Sequence, residues 1–84
     1  MAESAQRLGD AARALKATLD RLADVAPDAP DRAALVAEAG ELLWFLVVQR
    51  EACGLRDSEV VMRDYRVPAE VRLRMGMRRP RPQE

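Results

Sequence analysis

The sequence contains no histidine, and Cys53 is its only cysteine. Zinc therefore has too few ligands to form an ordinary four-coordinate site. A Cys/His or Ser/His/Asp nucleophile has no base, and no disulfide can staple the chain to itself. Four scattered glycines make no phosphate-cradling loop. Glu38, Glu41 and Glu51 lack the Glu-x-x-His element that bundle helices use to hold paired metals. The reading is that the protein is not an enzyme and needs no metal or cofactor. No apolar stretch approaches the roughly 20 residues that cross a bilayer, so no membrane span is expected. The opening residues Met1 to Arg7 lack a basic-then-apolar leader profile. With one cysteine among apolar neighbours, a reducing, cytoplasmic location is expected. Charge of one sign is also missing, since 14 basic residues balance 14 acidic ones. The balance is uneven along the chain: residues 1–48 hold five basic and eight acidic side chains, and residues 49–84 hold nine and six. Lys16 is the one lysine, and the remaining basic residues are arginine.

What is present is helix-forming sequence around one unusual segment, Leu42-Leu43-Trp44-Phe45-Leu46-Val47-Val48. Seven consecutive positions point in every direction around an α-helix. A helix covering a core on one side is apolar in a stripe and polar elsewhere, so this segment must be surrounded. A chain of 84 residues has little material for that. Two copies packed about a two-fold axis would enclose it. Ala37, Gly40, Leu43, Trp44, Val47 and Val48 are the expected dimer contacts, with Ala33, Ala37 and Gly40 forming a small-residue track that admits another backbone.

The rest of the chain supports an all-α fold. Leu8, Leu15 and Leu22 recur every seven residues, with Ala12, Leu19 and Ala26 four further on, which predicts a helix from Glu3 to about Val25. Pro27 and Pro30 mark a tight connection. A second helix is expected from the Pro30 region to about Cys53, closed by Gly54 in the left-handed conformation with Leu55 folding back. Two short helices follow, about Ser58–Tyr65 capped by Asp57 or Ser58, and Pro68–Met75 ended by Gly76. The expected architecture is a helical hairpin of two long helices plus two short C-terminal helices, dimerising into a four-helix-bundle-like core. Residues 1–76 form one domain. Residues 77–84 form a basic, Pro-containing tail expected to be disordered and inert.

Two further constellations invite a role. Arg50, Glu51, Arg56, Asp57 and Asp64 cluster around the Gly54 turn and are candidates for a charge network that locks the short helices onto the bundle end. The 58–75 unit has the rhythm of a helix-turn-helix. Arg72, Arg74, Arg78 and Arg79 are its candidate DNA contacts. Zero net charge, the acids Glu59, Asp64 and Glu70 within the unit, and the shortness of its second helix weigh against nucleic acid. Cys53 and Tyr65 read as packing residues. The favoured reading is a non-catalytic, self-associating protein-interaction or adaptor module with an unidentified protein partner. A DNA-binding regulator is the alternative.

The strings Leu43-Trp44, Val48-Gln49-Arg50-Glu51-Ala52-Cys53-Gly54-Leu55-Arg56-Asp57, Arg63-Asp64-Tyr65-Arg66-Val67-Pro68-Ala69-Glu70-Val71 and Arg74-Met75-Gly76 carry a resemblance. Over about residues 42–76 the chain resembles a family of short bacterial helical proteins classed as a domain of unknown function. The resemblance implies a bacterial origin and an all-helical domain. It brings no activity, ligand or site residue.

Overall fold

A computed structural model describes residues 2–78, with side chains from 6 to 75. It contains four helices: α1 (Ala2–Ala23), α2 (Arg32–Ala52), α3 (Glu59–Asp64) and α4 (Ala69–Arg78). The described residues are otherwise turn and loop. α1 and α2 form the expected hairpin. Its connection is two successive turns, Ala29 N–H donating to the Ala26 carbonyl at 3.0 Å and Arg32 N–H to the Ala29 carbonyl at 3.1 Å. Pro27 and Pro30 each occupy the second position of their turn, where a fixed φ near −65° is already the required value. Pro30 therefore precedes α2 by two residues rather than opening it.

Gly54 closes α2 as its sequence position implies. Its φ is +89°. Its N–H donates to the Glu51 carbonyl at 3.0 Å, and the Leu55 N–H reaches back to the Arg50 carbonyl at 2.8 Å. This pair of bonds is the Schellman arrangement, which satisfies carbonyls the helix end would leave orphaned. The hydrophobic half of that motif is weak here, because Leu55 remains 46% exposed. α3 ends the same way, with Val67 N–H donating to Met62 and Arg66 N–H to Arg63. The left-handed residue there is Arg66, at φ +52°, a conformation that costs a side-chain-bearing residue roughly 1–2 kcal/mol. At the start of α3 the Asp57 carboxylate accepts the Glu59 N–H at 3.1 Å, so Asp57 supplies the cap and Ser58 makes no side-chain cap bond.

α2 is the hub. α1 packs along one flank and α4 along another. The core combines Ala11, Leu15 and Leu22 of α1, Leu35, Ala39, Leu43 and Leu46 of α2, Val61 and Met62 of α3, and Val71 of α4. Thr18 is the one buried polar residue among the described side chains, and its hydroxyl donates to Glu38 Oε2 at 3.2 Å. A buried hydroxyl paired in this way avoids the cost of desolvation without a partner.

Two expectations change. Gly76 does not end α4, which runs on to Arg78. A glycine inside a helix costs about 1 kcal/mol relative to alanine, and that is too little to stop it. Met77 and Arg78 therefore belong to the helix, and the rest of the tail lies outside the described residues. The small-residue track does admit a backbone, but it is α4 of the same chain. A Cβ built on Gly40 would lie 2.9 Å from Arg74 Cγ and 3.3 Å from the Met75 nitrogen. Gly40→Leu should accordingly push α4 away and cost about 1–3 kcal/mol in urea denaturation. Ala17→Leu, on the exposed face of α1, should shift stability by less than about 0.5 kcal/mol.

Candidate interaction surface

The seven-residue apolar run is divided by the fold. Leu43 and Leu46 are enclosed within the chain, at 0% and 3% exposure. Leu42, Trp44, Val47 and Val48 are half-buried, and Phe45 is exposed at 38%. At 3.6 residues per turn the buried residues Leu35, Ala39, Leu43 and Leu46 occupy one side of α2. Ala34, Ala37, Glu41, Trp44, Phe45 and Val48 fall on the opposite side. Ala34, Glu41 and Phe45 are exposed, while Ala37, Trp44 and Val48 are half-buried. This outward stripe is apolar at every position except Glu41, which has an interaction of its own.

Of the six expected dimer contacts, then, Ala37, Trp44 and Val48 lie on the outward stripe. Gly40 and Leu43 do not, because α4 and the hairpin core already cover them. Val47 packs against the core from its margin. The sequence reading missed Ala34 and the exposed Phe45. Angular position on α2 could have identified both, once the α4 side was known.

The candidate charge network is not assembled. Among the described residues no ion pair links Arg50, Glu51, Arg56, Asp57 and Asp64 to one another. Asp64 lies 3.8 Å from its neighbour Arg63, and Asp57 serves as the α3 cap. The Arg50 Nε is buried without a hydrogen-bond partner. The cause is the Gly54 turn, which carries Gly54 to Asp57 out into solvent.

The short helices are held by other pairs. Arg72 Nη2 donates to Glu59 Oε2 at 2.9 Å, tying α4 to α3. Arg32, whose side chain is only 21% exposed, grips Glu70 through both Nε and Nη2. Its Nη1 donates to the Val25 carbonyl at 3.3 Å. One guanidinium thus joins the end of the α1 segment, the start of α2 and the start of α4, using the planar fork that suits arginine to bidentate carboxylate contact.

These pairings bear on the candidate DNA contacts. Arg72 is engaged by Glu59, and the stem of Arg74 lies over Gly40. The Arg78 side chain and all of Arg79 lie outside the described residues.

A cleft of about 430 Å³ opens between α1 and the α3–α4 corner, lined in part by Leu19, Asp64, Tyr65, Arg66 and Pro68. Its other cations are spoken for, Lys16 by Asp20 at 3.1 Å and Arg32 by Glu70. Cys53, expected to be a packing residue, is instead exposed at the end of α2. No group of three metal-ligating side chains occurs among the described residues, and no helix there is long and apolar enough to cross a membrane.

Residues 1–81 match a family described as a family of unknown function (DUF6665). The match extends the resemblance seen over residues 42–76 to nearly the whole chain. No curated protein and no solved structure matches.

The Arg32 clamp yields a direct test. Arg32→Ala should lower stability by about 1–2 kcal/mol, because it removes a half-buried bidentate pair and frees the Val25 carbonyl. Arg32→Lys should fail to restore it. Lys16→Ala, which breaks an exposed pair, should cost less than about 0.5 kcal/mol. Urea titrations of the three variants give the ranking.

Proposed function

The chain belongs to this family of unknown function, and from that premise we propose that it is a non-catalytic, self-associating interaction module of the cytoplasm. Two copies pack through the outward stripe of α2, and the paired hairpins form a four-helix-bundle-like core. The stripe that remains apolar after α1 and α4 have taken their places carries this reading. Full burial of each large apolar side chain is worth roughly 1.5–3 kcal/mol. Trp44 and Val48 are already half-buried and Phe45 is 38% exposed, so covering what remains of the three is worth roughly the full burial of one such side chain. Left in water they expose apolar surface along one side of α2. A second copy removes that patch with surface of the same chemistry, as isologous contacts do. The adaptor role follows from it, because a dimer presents two α4 helices to a protein partner.

The lack of a histidine base and of a phosphate-cradling loop in the sequence, and of a metal-ligating group among the described residues, is in keeping with a non-catalytic role. Engagement of Arg72 by Glu59 supports protein contact over DNA contact. An exposed lone thiol, Cys53, is in keeping with a reducing compartment.

Sedimentation equilibrium at micromolar concentration should give twice the 9.4 kDa chain mass. Phe45→Glu should return the mass to that of one chain while leaving the helical circular dichroism unchanged, since Phe45 lies outside the core. A wild-type monomer throughout that range would refute self-association. A gel shift with a steep salt dependence would reassign the α3–α4 unit to DNA.

A further inference from the structure

We propose that the cleft between α1 and the α3–α4 corner binds a small organic acid, one that carries a single carboxylate on an apolar body. None of the lining residues belongs to the outward stripe of α2, so this site is independent of the self-association proposed above.

At about 430 Å³ the cleft falls within the size range of small-molecule sites, which are mostly apolar with a few convergent polar groups. Leu19, Leu22 and Pro68 supply apolar lining. Leu22 is only 2% exposed, and Leu19 and Pro68 are half-buried, so the lining is continuous with the packed part of the chain. The polar groups divide into those already engaged and those left over. Lys16 is held by Asp20, Arg32 by Glu70, and Asp64 lies 3.8 Å from Arg63. The two left over are neighbours in sequence, Tyr65 and Arg66. Neither side chain pairs with another among the described residues. The Tyr65 ring packs against the core while its hydroxyl stays accessible, and Arg66 is exposed.

Arg66 is also strained. Its φ of +52° lies in the left-handed region that favours glycine. The chain therefore keeps a long cationic side chain where a glycine would relieve the backbone. Residues held in such conformations cluster at ligand-binding and switch sites. Here the strained residue is also the cation of the cleft that no acid engages.

Charge sets the class of ligand. With each ion pair counted as neutral, Arg66 leaves one positive charge in excess, which matches one carboxylate. A polyphosphate brings several negative charges to a cleft that already holds the Asp20 and Asp64 carboxylates. A guanidinium and a phenol O–H both donate, and a carboxylate accepts from both. The apolar lining favours an apolar body, which gains by leaving water.

The probe is 3-phenylpropionate, with two controls. The first is 3-phenylpropylamine, which has the same body and the opposite charge. The second is acetate, which has the carboxylate and no body. Titration of the isotope-labelled full chain, followed by NMR, should give saturable shifts at the amides of Leu19, Leu22, Tyr65 and Arg66, with a Kd on the order of 1 mM. The amine and acetate should bind at least about tenfold more weakly. Arg66→Gly should leave the midpoint of urea unfolding at or above the wild-type value, since it relieves the left-handed backbone. The same variant should weaken 3-phenylpropionate binding about tenfold or more. Arg66→Gln, which keeps a side chain at this position, should weaken it as much, and Tyr65→Phe by about three- to tenfold. A purely structural Arg66 would leave binding unchanged in Arg66→Gly. The proposal is overturned by undiminished binding in that variant, by equal binding of the amine, or by no saturable shift up to about 20 mM 3-phenylpropionate. Shifts at these amides with an acidic peptide and none with 3-phenylpropionate would also overturn it, giving the cleft to a protein partner instead.

Discussion

A single central helix has to be covered on more sides than one hairpin can supply. α2 is apolar around most of its second half, and each neighbour shields one sector of it. α1 takes the side of Leu35 and Ala39, with Thr18 and Arg21 both reaching Glu38 across the interface. α4 takes the next sector, where the missing side chain of Gly40 lets Arg74 and the Met75 backbone come close. The sector of Ala34, Ala37, Trp44, Phe45 and Val48 is covered in part, with Ala34 and Phe45 exposed and the other three half-buried. The fold of the chain and the self-association proposed above thus rest on the same apolar segment.

The polar groups serve this arrangement at its margins. Tight prolyl turns between α1 and α2 limit the freedom of the unfolded connection. The Arg32 guanidinium gathers three chain segments at the closed end of the hairpin, where the start of α4 would otherwise be held only by Val71 and its neighbours. The α3–α4 corner is drawn tight by Arg66 in a left-handed conformation that the cooperative bonds of the α3 cap maintain. Exposed pairs such as Lys16 with Asp20 contribute little. Most of the cohesion comes from packing, and the charged residues chiefly orient what the packing assembles.

Local features were legible in the sequence because their causes are local. The Leu8, Leu15, Leu22 repeat, the prolines at 27 and 30, and the glycine at 54 each act within a turn or two, and the two long helices, their connection and the Gly54 cap follow from them. The two short helices were also evident from their apolar pairs. What escaped were contacts between segments distant in sequence. Nothing in the string says that the gap at Gly40 is filled by residues 74 and 75. Sequence proximity of Arg50, Arg56 and Asp57 suggested a network that the Gly54 turn disperses, whereas Arg32 and Glu70, far apart along the chain, form the actual clamp. The candidate surface was recognised as a property of α2, but part of it is covered by the chain itself. Gly40 and Leu43 lie on the sides taken by the chain itself, and Ala34 and Phe45 lie on the side left open.

The chain's single tryptophan, Trp44, sits at the edge of the open sector and reports on it directly. Its emission should be compared between wild type and Phe45→Glu, at matched micromolar concentration and with acrylamide as quencher. If a second copy covers this side of α2, the wild-type emission lies to the blue and is shielded from acrylamide, and the variant shifts to the red with stronger quenching. Identical spectra and identical quenching in the two proteins would contradict the account, since Trp44 would then be no better covered in the wild type than in a chain unable to pair.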